Sequence, residues 1–337
     1  MKIILDIAGA DKGINIVLNA AINMVDKVNS KIVLVGKKKD IEEGFMMLNK
    51  ISYLDKFEVI ECLEYISNND EPAFAIKNKK ESNLVKAFDY MKNEEEIAFI
   101  SASSTGALMA GALLKVGRIN KIHRPALMSI LPTALDKPVI FLDTGANIEA
   151  KEVSLVQYAL LGKIYAKSVI GIENPKIGLL NIGAEEEKGN AVLKQVNKIL
   201  KKTNNNFVGN IEPRYILSGK VDIIVCDGLM GNTAIKALEG AVVTFKDELK
   251  KEFKKSLINK FKSLLIKNML KNVLGKFDYK KLGGAVLLGV KKPVIKVHGN
   301  SDSITYEKAI YQADKMLKEK VIDKVKAHLE CVNLKGE

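Results

Sequence analysis

Short, nearly continuous runs of apolar residues recur along the whole chain, with helical patterns between them. Nine of these runs have the length and composition of strands: residues 2–6, 31–36, 57–62, 97–101, 126–131, 139–143, 177–182, 221–226 and 294–297. Runs without polar alternation are typical of strands that are buried on both faces of a parallel sheet. Patterns such as 14–28, 107–116, 155–167 and 305–320 predict the connecting helices. The alternation predicts an α/β fold, a doubly wound, mostly parallel sheet in an α/β/α sandwich.

Length and cysteine spacing favour one globular unit in a reducing compartment. The 337 residues, 47% of them hydrophobic, can bury a sizeable core, and we expect a single unit over residues 1–337. Cys62, Cys226 and Cys331 lie far apart, without the spacing of a zinc or disulfide motif. The chain enters a strand directly and contains no run of about 18 apolar residues, so neither a signal peptide nor a membrane span is expected. These features predict a cytoplasmic protein.

The formal net charge of +13 calls for negatively charged partners. Residues 246–281 contain twelve lysines and four acids, a net charge of +8, so this segment holds more than half of the excess. Aromatic residues do not alternate with basic ones, which argues against nucleic acid. An anionic lipid, a phosphorylated small molecule and an acidic protein stay open as partners.

Polar and glycine residues gather where five of the predicted strands end. They are Asp6 and Asp11 after the first strand, Ser101, Ser104 and Thr105 after the fourth, Asp143 and Asn147 after the sixth, Gly183 and Lys188 after the seventh, and Asp227 and Asn232 after the eighth. Ligands of doubly wound sheets bind at the carboxyl ends of the strands. Five such turns at one end of the sheet therefore predict a ligand site. The absence of a glycine-rich nucleotide motif argues against a dinucleotide or ATP.

Residues 176–190, KIGLLNIGAEEEKGN, predict an anion-binding corner. We interpret the segment as a strand, a break at Gly183 and a helix that begins behind the acids at 185–187. In this interpretation Lys188 stands in the first helical turn, beside backbone amides that have no partner and suit an anion. The alternative is an ordinary turn whose acids complement the helix dipole.

Nine motifs run in a single order from one end of the chain to the other. They are DIAGAD from Asp6, STGALMAGALLKVGRI from Ser104, RPAL from Arg124, DTGAN from Asp143, GIENPKIGLLNIGAEEEKGN from Gly171, NFVGNIE from Asn206, CDGLMGNTAIK from Cys226, LGGAVLLGV from Leu282 and HGNSD from His298. In these motifs the chain resembles the bacterial phosphate acyltransferases of phospholipid synthesis. The resemblance implies that acyl carrier protein donates an acyl chain to inorganic phosphate, that no cofactor takes part, and that a membrane glycerol-phosphate acyltransferase receives the product.

The opening loop departs from the family pattern DxMGGDHxP. Ala8, Ala10 and Lys12 stand where the family has Met, Gly and His, and the family's SAGNTGA turn is SASSTGA here, with Ser103 and Ser104. A methyl group at Ala10 would be strained if the backbone there required a positive φ. Four residues in the motifs further along the chain match the family pattern: Lys188, Asp227, Asn232 and His298. Activity is therefore expected.

Phosphate is already an anionic nucleophile, so the site mainly has to hold it near the thioester carbonyl and stabilise the oxyanion. Lys188 and the turn from Ser101 to Thr105 are the predicted phosphate ligands. Asn232 is the predicted amide donor, and Asp227 the residue that orients these groups. His298 either protonates the leaving thiol or forms a structural hydrogen bond. Cys226, at the end of an apolar strand, is not expected to be a nucleophile, and no histidine spacing indicates a metal site.

Acyl carrier protein is acidic, so a basic surface should steer its docking. The candidate docking residues are Lys77, Lys79, Lys80, Arg118 and Arg124. A charge run of this kind is more often only a solvated face.

Residues 242–281 are interpreted as an inserted, amphipathic helical hairpin that projects from the sheet. Its two apolar stripes, within residues 253–265 and 266–274, would lie on opposite faces of one straight helix, so we predict two short helices joined near residues 266–268. The candidate membrane residues are Leu264, Leu265, Ile266, Met269 and Leu270. Basic amphipathic helices bind anionic membranes, which predicts peripheral association with the inner face of the cell membrane, alongside a homodimer contact. The alternative is that the stripes only bury each other.

Two other functions stay open. A phosphotransacetylase-type enzyme has a similar architecture and exchanges acyl groups between coenzyme A and phosphate, so it differs in the thiol carrier. A membrane-bound module without catalytic activity is the other, suggested by the altered opening loop.

Overall fold

The computed structural model describes residues 1–67, 69–276 and 282–333. Within these ranges eleven strands form one sheet. They are β1 (Lys2–Asp6), β2 (Lys31–Gly36), β3 (Glu58–Glu61), β4 (Ile97–Ser101), β5 (Ala126–Pro132), β6 (Pro138–Leu142), β7 (Ile177–Leu180), β8 (Phe207–Ile211), β9 (Ile223–Val225), β10 (Ala285–Leu288) and β11 (Val294–Lys296). All nine predicted strands are present, and the sequence prediction lacks β8 and β10.

Helices cover both faces of the sheet. They are α1 (Ile14–Met24), α2 (Lys38–Met47), α3 (Pro72–Asn78), α4 (Asn83–Lys92), α5 (Thr105–Gly111), α6 (Glu152–Tyr165), α7 (Ala191–Thr203), α8 (Gly228–Lys254), α9 (Leu257–Lys276), α10 (Ser303–Lys318) and α11 (Val321–Asn333). A wider helical turn prolongs α5 to Val116 and α6 to Ile170. The predicted α/β class is confirmed.

The strand order is β3-β2-β1-β4-β11-β10-β5-β6-β9-β7-β8. The first five strands in this order are parallel to one another, and so are the last four. Between these two blocks, β10 and β5 are each antiparallel to both of their neighbours. Three successive reversals make the two blocks run in opposite directions. The sheet is mostly parallel, as predicted, but its strands do not share one direction.

The register brings the carboxyl ends of the two blocks together. Ser101, the last residue of β4, is opposite Lys296 at the end of β11, and Lys296 is opposite Ala285 in β10. The next residue of β10 is opposite Met128, which is opposite Leu142, the last residue of β6. Measured along β10, the carboxyl ends of β11 and β6 are thus only one residue apart. The prediction that the five polar turns share one end of the mostly parallel sheet is wrong, because they come from both blocks, whose carboxyl ends face each other in the middle of the sheet.

Alternate side chains of the strands enter different apolar clusters. In β1, Ile3 and Leu5 join the cluster that includes residues of α1, α6 and α10, whereas Ile4 joins a cluster with residues of α4 and α5. A third cluster, with Phe141 and Ile224, lies against the start of α8. Full burial of each such side chain contributes about 1.5–3 kcal/mol. Both faces of the sheet are therefore covered, which explains why its strands are continuous apolar runs.

The helical hairpin differs from its prediction. The chain turns at Lys255 and Ser256, and α9 continues without a break through residues 266–268. The predicted break there is wrong: no glycine or proline interrupts that segment, whereas the Ser256 hydroxyl accepts a hydrogen bond from the Asn259 amide (3.0 Å) and caps α9. The predicted boundary at residue 242 falls within α8.

One continuous helix leaves apolar side chains of both stripes exposed on α9. Ile258, Phe261, Leu264, Leu265 and Met269 each keep at least 60% of their surface accessible. At its far end, the Lys276 ammonium is 2.9 Å from Asp136, in the turn between β5 and β6. Among the described helices, none has the length and apolar character needed to cross a membrane.

Candidate active site

A cavity of about 560 Å³ lies where the carboxyl ends of the two blocks meet. Polar side chains from the first block and its following turns line one side, and the turn after β6 and the start of α8 line the other. The polar lining includes Thr105, Lys296, His298, Ser301 and Thr305 on the first side, and Thr144 and Asn232 on the second. Apolar lining residues include Met109, Ile130, Leu131 and Ile235. The cavity therefore combines hydrogen-bond donors and two lysines, Lys296 and Lys236, with an apolar wall. Lys236 is paired with Glu239 (2.8 Å), which also lines the cavity.

Asp6 lies beneath the cavity and is fully buried. Its Oδ2 accepts hydrogen bonds from Asn83 Nδ2 (2.7 Å), Ser101 Oγ (2.7 Å) and Ser103 Oγ (2.9 Å), and its Oδ1 from the Ala8 amide (3.0 Å). Burial raises the pKa of this carboxyl, and the hydrogen bonds oppose that rise. Asp6 and Ser101 are thus already paired with protein groups, and they hold together the turns after β1 and β4.

The altered opening loop is not strained at Ala10. The positive φ of the loop falls on Gly9 (78°), where a Cβ would stand 2.6 Å from the Ser103 amide nitrogen. Glycine is therefore needed at position 9, where the loop passes directly over the turn after β4. Ala10 itself has a backbone conformation that any L-amino acid adopts readily.

Asp143 organises the turn after β6. Its Oδ1 accepts hydrogen bonds from the amides of Leu127 (3.0 Å), Gly145 (3.0 Å) and Ala146 (2.9 Å), and its Oδ2 accepts two from Asn147. Asn147 Nδ2 also donates to the Pro125 carbonyl (2.7 Å). These contacts fix the turn so that Gly145 reaches the cavity. Asp143 and Asn147 act on the site through the backbone that they hold.

Asp227 caps α8, because its Oδ1 accepts a hydrogen bond from the Met230 amide (2.8 Å). The helix then passes so close to β6 that a Cβ on Gly231 would stand 1.8 Å from the Asp143 carbonyl oxygen. This approach places Asn232 beside Gly145 in the cavity wall. This geometry is compatible with the prediction that Asp227 orients the Asn232 amide.

The predicted helix at Lys188 is wrong. After β7 the chain forms a loop, and α7 begins only at Ala191, where the Asn190 side chain accepts a hydrogen bond from the Leu193 amide (2.9 Å). Lys188 is exposed in that loop, outside the cavity lining, and both its side chain and that of Glu185 approach Gly183. The acids at 185–187 resemble a first helical turn in sequence, but Asn190 provides the cap. The role of Lys188 in phosphate binding stays a prediction.

His298 and Asp11 lie in neighbouring loops at the exposed rim. The Asn300 amide donates to His298 Nδ1 (3.2 Å), and the Asp11 amide donates to the Gly299 carbonyl (2.8 Å). The loop after β1 is thereby tied to the loop after β11. His298 lines the cavity, so a proton could pass between its ring and a ligand there.

Lys296 is absent from the sequence prediction. It lines the cavity, and its Nζ donates to the carbonyls of Ala102 (2.7 Å) and Val297 (2.6 Å). Burial lowers the pKa of this ammonium to about 8, although the charges of Asp6 and Asp11 act in the opposite direction. A lysine at the end of a strand normally indicates a surface position. Only the central place of β11 in the sheet, which local sequence does not reveal, buries it.

Cys226 has no access to the cavity lining. Its thiol is fully buried and donates to the Asp143 carbonyl (3.3 Å). Burial raises the pKa of the thiol, which keeps it protonated. The residue packs as a small apolar side chain, in agreement with its interpretation from the sequence.

A second cavity of about 310 Å³ adjoins the first, since Met109 lines both. Arg118, His123 and Arg124 contribute its basic groups, and Arg118 Nη1 donates to the His123 carbonyl (2.6 Å). The other predicted docking residues lie at the end of α3 and just beyond it; they are Lys77, Lys79 and Lys80, of which Lys79 pairs with Asp70 (2.7 Å). Of the five predicted docking residues, the two arginines line this cavity and the three lysines do not.

Known proteins match this chain in both sequence and fold. A family described as fatty acid synthesis protein matches residues 1–324. Curated relatives named phosphate acyltransferase include one from Thermoanaerobacterium thermosaccharolyticum, 42% identical over 98% of both chains, and one from Clostridium novyi, 43% identical over 98% of this chain and 99% of that one. Among solved structures, a phosphotransacetylase from Streptococcus pyogenes superposes with a TM-score of 0.60 at 14% identity, over 94% of each chain. That structural likeness concerns the fold.

Proposed function

This chain belongs to the phosphate acyltransferase family, and on that premise we propose that it moves a long-chain acyl group from the thioester of acyl carrier protein to inorganic phosphate. The product is an acyl phosphate for phospholipid synthesis. Family membership makes the chain an enzyme of acyl transfer with phosphate, so the alternative of a module without catalytic activity is set aside.

The observation that supports this reaction is the mixed lining of the first cavity. The oxygen of HPO₄²⁻ attacks the thioester carbonyl carbon, a C–O bond forms, the C–S bond breaks, and the phosphate proton ends on the thiolate sulfur. The Asn232 amide and the Thr105 hydroxyl can donate to the developing oxyanion or to phosphate. His298, at the rim of the cavity, would relay the proton. Apolar residues such as Ile130 and Ile235 suit the adjoining methylene groups.

The proposal is tested with purified protein, hexadecanoyl acyl carrier protein and radiolabelled phosphate. Formation of labelled acyl phosphate together with free carrier thiol is the expected result. Hexadecanoyl coenzyme A in a parallel assay addresses the phosphotransacetylase-type alternative. If the enzyme turned over the coenzyme A ester but not the hexadecanoyl acyl carrier protein, the acyl donor would be coenzyme A instead of the carrier protein.

We expect docking of the carrier to depend on salt. Raising the ionic strength from 10 to about 150 mM shortens the Debye length from roughly 30 to 8 Å. The KM for the acylated carrier should therefore rise about tenfold, since the carrier is acidic and the second cavity is basic. The double variant Arg118→Ala, Arg124→Ala should raise KM at low salt and flatten its salt dependence.

The control for docking is Lys38→Ala on α2, whose ammonium is exposed and lies 3.9 Å from Glu42. It should leave the KM unchanged. A salt-independent KM in the wild type would remove the electrostatic argument, and an effect at Lys77→Ala alone would move the docking surface to α3.

We also propose that α9 contacts an anionic membrane surface. The segment 257–276 carries five lysines and no acid, and its exposed side chains include Phe261, Leu264 and Leu265. Apolar burial and roughly 1 kcal/mol per lysine near an anionic surface would both favour binding. Leu264→Glu and Leu270→Glu should therefore greatly reduce flotation with vesicles that contain anionic lipid.

The matched control is Met46→Glu on α2, where the side chain is 59% exposed but no lysine-rich helix surrounds it. This variant should float like the wild type. Equal flotation of all variants, or equal flotation with neutral vesicles, would contradict the membrane proposal. A change in molecular mass for Leu264→Glu without a change in flotation would instead assign α9 to a homodimer contact.

A further inference from the structure

The Lys296 ammonium lies in the cavity wall with neutral partners. Its two protein acceptors are the backbone carbonyls of Ala102 and Val297. An ammonium group has three donors, so one remains for a group inside the cavity. In the described part of the chain no carboxylate lies within ion-pair distance of Lys296 Nζ.

A half-buried cation without a paired anion is costly. The acids whose charges act on it are Asp6 and Asp11. Asp6 already accepts hydrogen bonds from Asn83, Ser101 and Ser103. The negative charges of these acids therefore reduce the free-energy cost of burying the ammonium, but neither acid forms an ion pair with it. A dianion in the cavity would supply the paired negative charge.

The Ser301 hydroxyl gives a second, independent observation in the same wall. Ser301 is 1% exposed and lines the cavity, and its Oγ has no hydrogen-bond partner among the residues that the structure describes. Buried hydroxyls are nearly always paired in folded proteins. An unpaired hydroxyl in a residue that lines the same cavity as the Lys296 ammonium indicates a ligand with oxygen acceptors.

We infer that Lys296 and Ser301 bind the phosphate that accepts the acyl group. This inference rests on the proposed function, and it assigns the phosphate to the end of β11 and the segment that follows it, instead of the exposed loop that carries Lys188. Phosphate held there faces Thr105 on its own side of the cavity and Asn232 across it. Residues at and beyond the end of the first block then hold the phosphate nucleophile. A residue that follows the second block donates a hydrogen bond to the thioester carbonyl.

The inference is tested by calorimetric titration of inorganic phosphate into the wild type and four variants. Lys296→Met keeps the length of the side chain and removes its charge, and Ser301→Ala removes a hydroxyl that has no partner among the described residues. We expect Lys296→Met to weaken phosphate binding at least about tenfold, the size of one lost charge-assisted hydrogen bond. Ser301→Ala should weaken it about threefold and leave the unfolding midpoint unchanged.

Two further lysine variants serve as controls. Lys291→Met changes an exposed lysine in the turn between β10 and β11 and should bind phosphate normally. Lys188→Ala tests the competing assignment, in which the exposed loop after β7 binds the phosphate. Phosphate binding that survives in Lys296→Met, or that disappears only in Lys188→Ala, would overturn the inference.

Steady-state kinetics separate this inference from the proposed reaction. A higher KM for phosphate in Lys296→Met and Ser301→Ala, with an unchanged KM for the acyl donor, is the expected pattern. If the wild type forms acyl phosphate and both variants keep its KM for phosphate, the inference fails while the function stands. If the wild type forms no acyl phosphate but Lys296→Met still loses phosphate binding, the function fails and the binding site stands. A wild type that binds no phosphate overturns the inference.

Discussion

Replacing Gly231 with alanine is expected to lower the free energy of unfolding by about 3 kcal/mol. The new Cβ would stand 1.8 Å from the Asp143 carbonyl oxygen and 2.9 Å from Cys226 Sγ. Neither a backbone carbonyl at the end of β6 nor a buried thiol can move away cheaply, because the interior is closely packed. The start of α8 would have to shift and would carry Asn232 with it. Denaturant unfolding gives the stability, and acyl transfer should fall as well.

The same helix supplies the control for this prediction. Gly240 also lies in α8 and is exposed, and apart from the backbone of the adjacent helical turns no described atom lies within 4 Å of the position that a Cβ would occupy. Gly240→Ala should therefore stabilise the protein by about 0.5–1 kcal/mol, since alanine loses less backbone entropy in a helix. Equal effects of the two substitutions would show that contact with β6 does not explain the need for glycine at position 231.

Asn232→Ala is expected to lower kcat about a hundredfold, the usual cost of removing one oxyanion donor. The Asn232 side chain lines the cavity beside Gly145 and is exposed towards it. Its loss should therefore leave the unfolding midpoint near that of the wild type. A fall in kcat with little change in the KM for phosphate would assign the amide to the carbonyl oxygen rather than to the nucleophile.

Thr233→Ala is the matched control for the amide. Thr233 follows Asn232 on α8, is exposed, and does not line the cavity. It should retain wild-type kcat. A decrease of similar size in both variants would indicate a general disturbance of α8, and an unchanged kcat in Asn232→Ala would remove the amide from the proposed mechanism.

Local sequence predicts most of the sheet because buried strands form continuous apolar runs. It misses β8, a half-exposed strand at the edge of the sheet that contains Gly209 at φ 96°, and β10, a run of four residues behind two glycines. Side-chain periodicity also carries no information on strand direction. The reversal of β5 and β10, and with it the opposition of the two blocks, is set by long-range pairing.

The site shows the same division between local and long-range information. Asp143 and Asp227 stand out in sequence because they follow apolar runs, and the structure uses both to fix the turns that carry Gly145 and Asn232. Lys188 stands out among acids, yet it lies outside the cavity. Lys296 does not stand out, since nothing near it in the sequence shows that β11 is a central strand.

The position of β10 and β11 also bears on how the chain folds during synthesis. These two strands occupy the middle of the sheet, but they come from residues 285–296, long after β4 and β5 have left the ribosome. Until they arrive, β4 and β5 each present an unpaired edge, the feature that promotes association between chains. Pairing of β4 with β11 also joins residues nearly 200 positions apart, which slows folding. The nascent chain should therefore depend on chaperones until its last sheet strands emerge.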